Sequence, residues 1–178
     1  ATNFVFSDLK FFMSANLLLS DCYISFSGDS LLNGRGNCLT LDSSCTLEVA
    51  SGSSLLIKNI TIEGLNDTKI QCADALSTVS FEDVELVQNA DYTFGTGRFD
   101  VLKDLILVGD GHTFVYQTDQ VSTVSTCGRL IVENGMTFSY DPPVASRELL
   151  KLHEETSEFI LNGGTLYTTS TGLRLTTG

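Results

Sequence analysis

An eight-residue pattern of apolar and polar positions recurs along the chain. Each copy contains an apolar-x-apolar triplet, a polar residue, an Asp or Asn, and a second apolar-x-apolar triplet. Full copies start at Phe4, Leu17, Leu55 and Val79, and a fifth copy with a polar first position starts at Asp100. This alternation predicts short β-strands with one buried face. The Asp or Asn predicts a corner between two strands, because these residues tolerate a left-handed backbone.

A second element follows the later copies of the octapeptide. A turn rich in Gly, Asn and Asp leads into a Thr-apolar pair, as at Thr93-Phe94, Thr113-Phe114, Thr137-Phe138 and Thr165-Leu166. The two elements together repeat about every 21 to 29 residues. One such unit cannot bury its own apolar face, whereas a stack of units buries a continuous core.

Stacked units of this kind form a β-solenoid, in which each strand pairs with its equivalent one turn away. We therefore predict an all-β fold, a parallel β-helix of roughly seven coils that forms one domain over residues 1–178. A β-sandwich of short strands is the alternative, although its turns need no recurring octapeptide. The repeat pattern resembles that of the right-handed parallel β-helix superfamily, which includes pectate-lyase-like enzymes, autotransporter passengers and phage tailspikes. This resemblance implies a right-handed solenoid and brings no catalytic motif with it.

One segment interrupts the repeat. Residues 141–157 contain both prolines of the chain, Pro142 and Pro143, which do not fit a central strand. Ser146 and the residues after it predict one or two helical turns. We expect an insertion loop here, and loops on a rigid scaffold can carry function.

The charge balance narrows the classes of partner. The chain has 10 Lys and Arg against 22 Asp and Glu, a net charge of −12, which argues against nucleic acid and anionic membrane surfaces. Apolar runs such as Leu105–Val108 are too short to span a membrane. The chain begins with Ala1 and has no signal-peptide pattern. We expect a mature chain or a fragment of a secreted or cell-surface protein.

The five cysteines leave the disulfide pairing open. The sequence contains no Cys-x-x-Cys, and the spacing of Cys38 and Cys45 permits a small closed loop in an oxidising compartment. The competing interpretation is that most cysteines are small buried apolar residues of a β core. The full set is Cys22, Cys38, Cys45, Cys72 and Cys127.

The central acidic or amide residues of the octapeptides predict a ladder of corner side chains that bond to the backbone. The ladder comprises Asp8, Asp21, Asn59, Asp83 and Asp104. Asp83 and Asp104 are expected to be stacked neighbours. A calcium ladder is a less favoured interpretation, because the calcium-binding nonapeptide of other solenoids is absent. We predict no cofactor, no metal site and no catalytic residue.

Two glycan-related alternatives stay open. A polysaccharide lyase or hydrolase would place carboxylates near Asp83, Asp104 and the insertion loop, with Arg98 or Lys103 as the basic group. A glycan-binding module would use a row of tyrosines, which are otherwise expected to pack as a ladder in the core. These tyrosines are Tyr92, Tyr116, Tyr140 and Tyr167.

The two ends of a solenoid expose unpaired strand edges, which must be capped or must pair with another chain. An octapeptide copy lies near each end, and neither end has an amphipathic capping helix in the sequence. We predict edge-pairing surfaces at Phe4, Phe6, Leu9, Phe11, Leu173 and Leu175. Head-to-tail stacking of such ends builds a fibre. The sequence therefore favours a non-enzymatic extracellular structural protein, a subunit or segment of a surface filament, stalk or adhesin.

Overall fold

The computed structural model describes residues 2–67 and 69–175. Within these ranges every regular element is a β-strand, and the strands stack in parallel as a β-solenoid of about six turns. The predicted all-β solenoid is confirmed, with about six turns where roughly seven were expected. The fold is not the alternative β-sandwich, because strands pair in parallel between successive turns.

The strands of the described residues have the following bounds in chain order. They are β1 (Thr2–Ser7), β2 (Lys10–Phe12), β3 (Leu17–Leu19), β4 (Cys22–Ser27), β5 (Asp29–Leu41), β6 (Thr46–Val49), β7 (Ser54–Leu65), β8 (Ile70–Cys72), β9 (Thr78–Gln88), β10 (Tyr92–Phe94), β11 (Arg98–Val101), β12 (Asp104–Val108), β13 (Thr113–Tyr116), β14 (Ser122–Val124), β15 (Arg129–Glu133), β16 (Thr137–Tyr140), β17 (Leu150–Leu152), β18 (Glu158–Asn162) and β19 (Thr165–Thr168).

Each turn follows a three-sided path. One side is formed by two four-stranded sheets with strand orders β1-β4-β6-β8 and β10-β13-β16-β19. The other two sides belong to one eleven-stranded sheet, in which the long strands β5, β7 and β9 each cover both sides. Each long strand bends where it passes from one side to the other. In the next turn, the junction between β11 and β12 takes the place of this bend. We call this edge of the solenoid the sheet corner.

The core consists of inward side chains stacked in columns. Strict register places Ile60 on Val84, Val84 on Leu105, and Leu105 on Leu130 in successive turns. All four side chains are buried, so each column excludes water along its length. Aromatic rings fill the middle of the core, where Phe99 lies 5.0 to 5.4 Å from the ring centroids of its three nearest aromatic neighbours.

The corner residues of the octapeptide adopt the conformation that their type permits. Asp8, Asp21, Asn59 and Asp83 have φ angles of 51°, 50°, 49° and 55°. Asp and Asn enter this left-handed region more readily than other non-glycine residues, because their short side chains bond locally. The fifth predicted corner residue, Asp104, is instead the first residue of β12.

The insertion is shorter than predicted. Residues 141–149 are irregular and contain no helical turn, and β17 then resumes the stack by pairing Ser122 of β14 with Leu150. Leu149 and Leu150 are both buried, so the segment expected to form a helix is held against the core. Among the described residues, no helix has the length and apolar character needed to cross a membrane.

Candidate functional site

The first turn leaves one end of the solenoid open. In the described part of the chain, β1 pairs only with β4, while β2 and β3 pair only with β5. The outer edges of these three strands therefore carry unpaired backbone N–H and C=O groups. Such edges are templates for the addition of another strand.

An apolar cavity of about 370 Å³ lies within this open end. Phe4 is 43% exposed and Phe11 is 39% exposed, although both side chains point toward the solenoid axis with the core residues. Side chains of the second and third turns form its floor. The lining residues are Phe4, Phe6, Leu9, Phe11, Met13, Leu17, Leu19, Ile24, Phe26, Leu32, Leu39 and Leu47.

The opposite end is partly covered by the chain itself. Leu173 packs against the core, and the backbone N–H of Arg174 donates to the carbonyl of Arg147 at 2.7 Å. The Arg174 guanidinium lies 3.4 Å from the carboxylate of Glu148. The strands β18 and β19 pair on one side only, so both keep a free edge within the described residues.

The predicted edge residues fall into two groups. Phe4 and Phe6 lie in β1, Phe11 lies in β2, and Leu9 lies between these strands, and all four line the cavity. Leu173 and Leu175, for which a new strand was expected, follow β19 without strand structure. Only the first triplet of the octapeptide that begins there lies within the described residues. Among these residues, no strand pairs with the segment.

The predicted ladder is divided among three corners. Register places Asn59, Asp83 and Asp104 in one column at the sheet corner. Asp8 instead joins β1 to β2, and Asp21 joins β3 to β4. The octapeptide marks a strand-corner-strand junction rather than one position in the turn, so copies in different turns need not stack on one another.

Ion pairs run along the sheet corner. Lys58 Nζ lies 2.9 Å from Glu82 Oε1, Lys103 Nζ donates to Asp83 Oδ2 at 2.7 Å, and Arg129 bonds to Asp104. The Arg129 hydrogen bond holds the pKa of Asp104 below its ordinary value. The carboxylates of this column are therefore largely matched by cations of the adjacent turn.

A groove of about 480 Å³ lies on the outer surface of the sheet corner. Its walls combine carboxylates, an amide, a hydroxyl, one guanidinium and aliphatic side chains, which are groups that can bond sugar hydroxyls and contact sugar rings. It is lined by Arg35, Gly36, Asn59, Ile60, Thr61, Asp83, Val84, Glu85, Asp104 and Ile106. The described residues contain no group of three or more His, Cys, Asp or Glu side chains suited to a metal ion.

Of the residues expected to form a site for polysaccharide cleavage, Arg98 lies outside the groove and Asp104 lies within it. Arg98 bonds to Asp100 at 2.7 Å on β11, away from the groove lining. Burial raises the pKa of Asp100, against the opposing effect of Arg98. In the groove itself Asp104 has a lowered pKa, which makes its carboxyl a poor proton donor at neutral pH.

Three of the four tyrosines proposed to face a glycan are core residues. Tyr92, Tyr116 and Tyr140 are buried, while Tyr167 is 60% exposed. Only Tyr116 and Tyr140 are directly in register, because Tyr92 pairs with Phe114 and Tyr167 pairs with Ser139. Tyr116 and Tyr140 lie three positions after Thr113 and Thr137. Tyr167 lies only two positions after Thr165, and a shift of one position reverses the side-chain direction in a strand.

Two features of the interior were not predicted. Lys69 is fully buried, and its Nζ donates to the backbone carbonyls of Asp42 and Cys45. Cys22 and Cys45 meet across adjacent turns, whereas Cys38 contacts Thr40. In the sequence, only the position of Lys69 next to Ile70 indicates that it could be buried. The contact between the two cysteines depends on the register between two turns, which the sequence does not specify.

No protein family, curated protein or solved structure matches this chain. The open end and the sheet-corner groove are therefore the two features of the molecule that indicate a function.

Proposed function

We propose that this chain is an extracellular structural β-solenoid that stacks head to tail, as a subunit or segment of a surface filament, stalk or adhesin. The open apolar end carries the proposal. Seven inward-facing apolar residues of the first turn lie around a cavity at a place where three strand edges have no partner in the described residues.

The driving force for stacking is burial of this end. Removing one large apolar side chain from water contributes about 1.5–3 kcal/mol, and Phe4 and Phe11 are both substantially exposed. The unpaired backbone N–H and C=O groups of β1, β2 and β3 would bond to an incoming strand and set its orientation. Backbone hydrogen bonds between turns within the chain have the same effect. The contact is therefore directional as well as apolar.

The occupant that we propose is the opposite end of a second copy. The free edges of β18 and β19 belong to the same three-sided cross-section and present strands of the same parallel direction. A contact of one end with the other does not close on itself, so it propagates as a fibre. The net charge of −12 disfavours lateral association and leaves the apolar ends as the preferred contact.

The resemblance of the repeat to right-handed parallel β-helices of the autotransporter-passenger type supports an extracellular setting. A pectate-lyase-like activity is less well supported, because no catalytic motif accompanies the repeat.

Negative-stain electron microscopy of the purified chain at several concentrations tests the proposal. We expect rods that are longer than one protomer and that lengthen with concentration. The double variant Phe4→Asp/Phe11→Asp is expected to give single particles, whereas Val5→Asp on the outward side of β1 leaves the rods intact, since Val5 is already 74% exposed. Uniform short particles from the unaltered chain at every concentration would exclude self-assembly.

Glycan binding at the sheet-corner groove is the second candidate. The groove combines hydrogen-bonding groups with the aliphatic surface of Ile106, which is half-buried. Acidic polysaccharides are disfavoured because the chain is strongly negative, so a neutral glycan is the expected class. The test is a titration of neutral oligosaccharides into the unaltered chain, the groove variant Glu85→Gln and the control variant Glu155→Gln. If the glycan binds in the groove, only Glu85→Gln should lose binding. Rod formation should be unchanged in that variant, which separates this candidate from the first.

A further inference from the structure

Two cysteines meet in the interior near the open end. The Sγ atoms of Cys22 and Cys45 lie 2.9 Å apart, and the side chains are 5% and 0% exposed. Cys22 is the first residue of β4, and Cys45 directly precedes β6. Both residues thus stand at the same corner in adjacent turns.

Strand register holds this contact in place. Tyr23 pairs with Thr46 in the parallel ladder of β4 and β6, so the residue before each, Cys22 and Cys45, is also in register. Neighbouring strands lie about 4.7–4.9 Å apart, which is within the Cα separation of about 4.4–6.8 Å that a disulfide requires. Bond formation needs only a small approach of the two sulfur atoms.

We propose that Cys22 and Cys45 form a disulfide between adjacent turns in an oxidising compartment, with a low-molecular-weight disulfide such as glutathione disulfide as the oxidant. One cysteine thiolate attacks the oxidant, forming a mixed disulfide and releasing one glutathione thiolate. The second cysteine thiolate then displaces the other glutathione. The protein gives up two protons and two electrons, and one glutathione disulfide becomes two thiols.

The remaining cysteines lack this arrangement. Cys38 is half-buried and contacts the hydroxyl of Thr40, Cys72 is buried in β8, and Cys127 is exposed at a corner with φ of 57°. The loop between Cys38 and Cys45 that the spacing permits would require Cys45 to leave its contact with Cys22. The geometry therefore selects one pair and leaves three thiols.

Burial determines when the bond forms. Burial and the contact with Cys45 raise the pKa of Cys22, so less of this thiol ionises in the folded protein than in the unfolded chain. We expect the disulfide to form during folding, before the first turns close over the sulfur atoms. Once formed, it ties the second turn to the third behind the open apolar end.

Refolding of the full chain in a glutathione redox buffer tests the assignment. Free thiols are blocked with N-ethylmaleimide in denaturant, and the chain is then mapped without reduction. We expect a Cys22–Cys45 cross-link and three blocked cysteines. Cys38→Ser should retain the cross-link, and Cys45→Ser should leave Cys22 blocked. Five blocked cysteines in the unaltered chain, or a cross-link mainly between another pair, would overturn the proposal.

A second measurement distinguishes a bond favoured by the fold from one formed by chance in an unfolded chain. At a fixed glutathione ratio, the equilibrium constant for the cross-link should be about 100-fold higher in native buffer than in concentrated urea, because coupling between the fold and the bond is reciprocal. Reduction should correspondingly lower the Tm by about 5–11 °C. A ratio near one would show that the fold does not select this pair.

Discussion

Tyr116 and Tyr140 stack directly on one another in adjacent turns, with ring centroids 5.5 Å apart and ring planes 12° apart. Both hydroxyl groups reach the same backbone segment. Tyr116 Oη donates to the carbonyl of Leu149 at 2.9 Å, and Tyr140 Oη accepts from the N–H of Leu149 at 3.0 Å. The stacked pair thus holds the irregular segment 141–149 against the core and aligns β17 for its place in the sheet.

Removal of the Tyr140 hydroxyl should loosen that segment. Tyr140 Oη also donates to the carbonyl of Ser146 at 3.0 Å, so Tyr140→Phe leaves two backbone groups without this partner. We expect a loss of about 1–3 kcal/mol in the free energy of unfolding and faster hydrogen exchange in residues 141–149. Tyr167→Phe is the matched control because Tyr167 is exposed. Equal effects of the two substitutions in urea unfolding would contradict the role of the hydroxyl.

Lys69 should be required for stability rather than for solubility. Its ammonium donates to the carbonyls of Asp42 and Cys45, inside the corner between β5 and β6. Lys69→Met keeps the aliphatic stem but leaves both carbonyls without this donor, which we expect to cost about 2–4 kcal/mol. Lys10→Met is the control, since Lys10 is exposed in β2. Urea unfolding measures both, and an unchanged or higher stability for Lys69→Met would mean that desolvation of the ammonium offsets its bonds.

The backbone at Asn59 provides a test of the corner. Because its φ is 49°, Asn59→Gly should be nearly neutral, whereas Asn59→Ala should destabilise by about 1–2 kcal/mol. The same pair of substitutions at Thr61, which lies within β7, should rank in the opposite order, since glycine weakens a strand interior. Thermal unfolding of the four variants gives the comparison. The same rank order at both sites would exclude a corner-specific effect.

The solenoid was predictable because a pattern of only eight neighbouring residues specifies its repeating unit. Alternation of apolar residues around Asn59 and Asp83 specifies strand, corner and strand within eight residues, and only stacking buries the resulting face. The assignment of Asp8 and Asp21 to the same column failed because one octapeptide serves several corners. Which corner each copy occupies depends on the number of residues in the intervening turns, and the octapeptide itself carries no such information.

The candidate site was predictable only in part for a related reason. The exposed apolar first turn followed from the position of Phe4 and Phe11 in the repeat. The direction of Tyr116 and Tyr140, and the meeting of Cys22 with Cys45, depend on register between turns to within one residue. Segments of irregular length separate the strands, so the sequence alone left that register open.

Acid should weaken the fold through Asp74. Hydrogen bonds from the Ser51 and Ser77 hydroxyls, with further bonds from backbone N–H groups, lower the pKa of Asp74 to about 2. The carboxylate is thus more acidic in the folded chain than in the unfolded chain. Its contribution to stability is complete above the ordinary aspartate pKa of about 3.9 and is lost as the pH falls toward about 2.

Asp74→Asn tests this dependence, because an amide does not titrate in this range. We expect the unaltered chain to lose stability between about pH 4 and pH 2, and the variant to have a flatter profile there with lower stability at neutral pH. Asp119→Asn is the control, since Asp119 is exposed and its carboxylate accepts only from the amide of the neighbouring Gln120 among the described bonds. Urea unfolding at several pH values gives the profiles. Parallel curves for the unaltered chain and Asp74→Asn would assign the acid sensitivity to other carboxylates, whereas a selective flattening identifies the Ser51–Asp74–Ser77 cluster as a bond between adjacent turns that depends on ionisation.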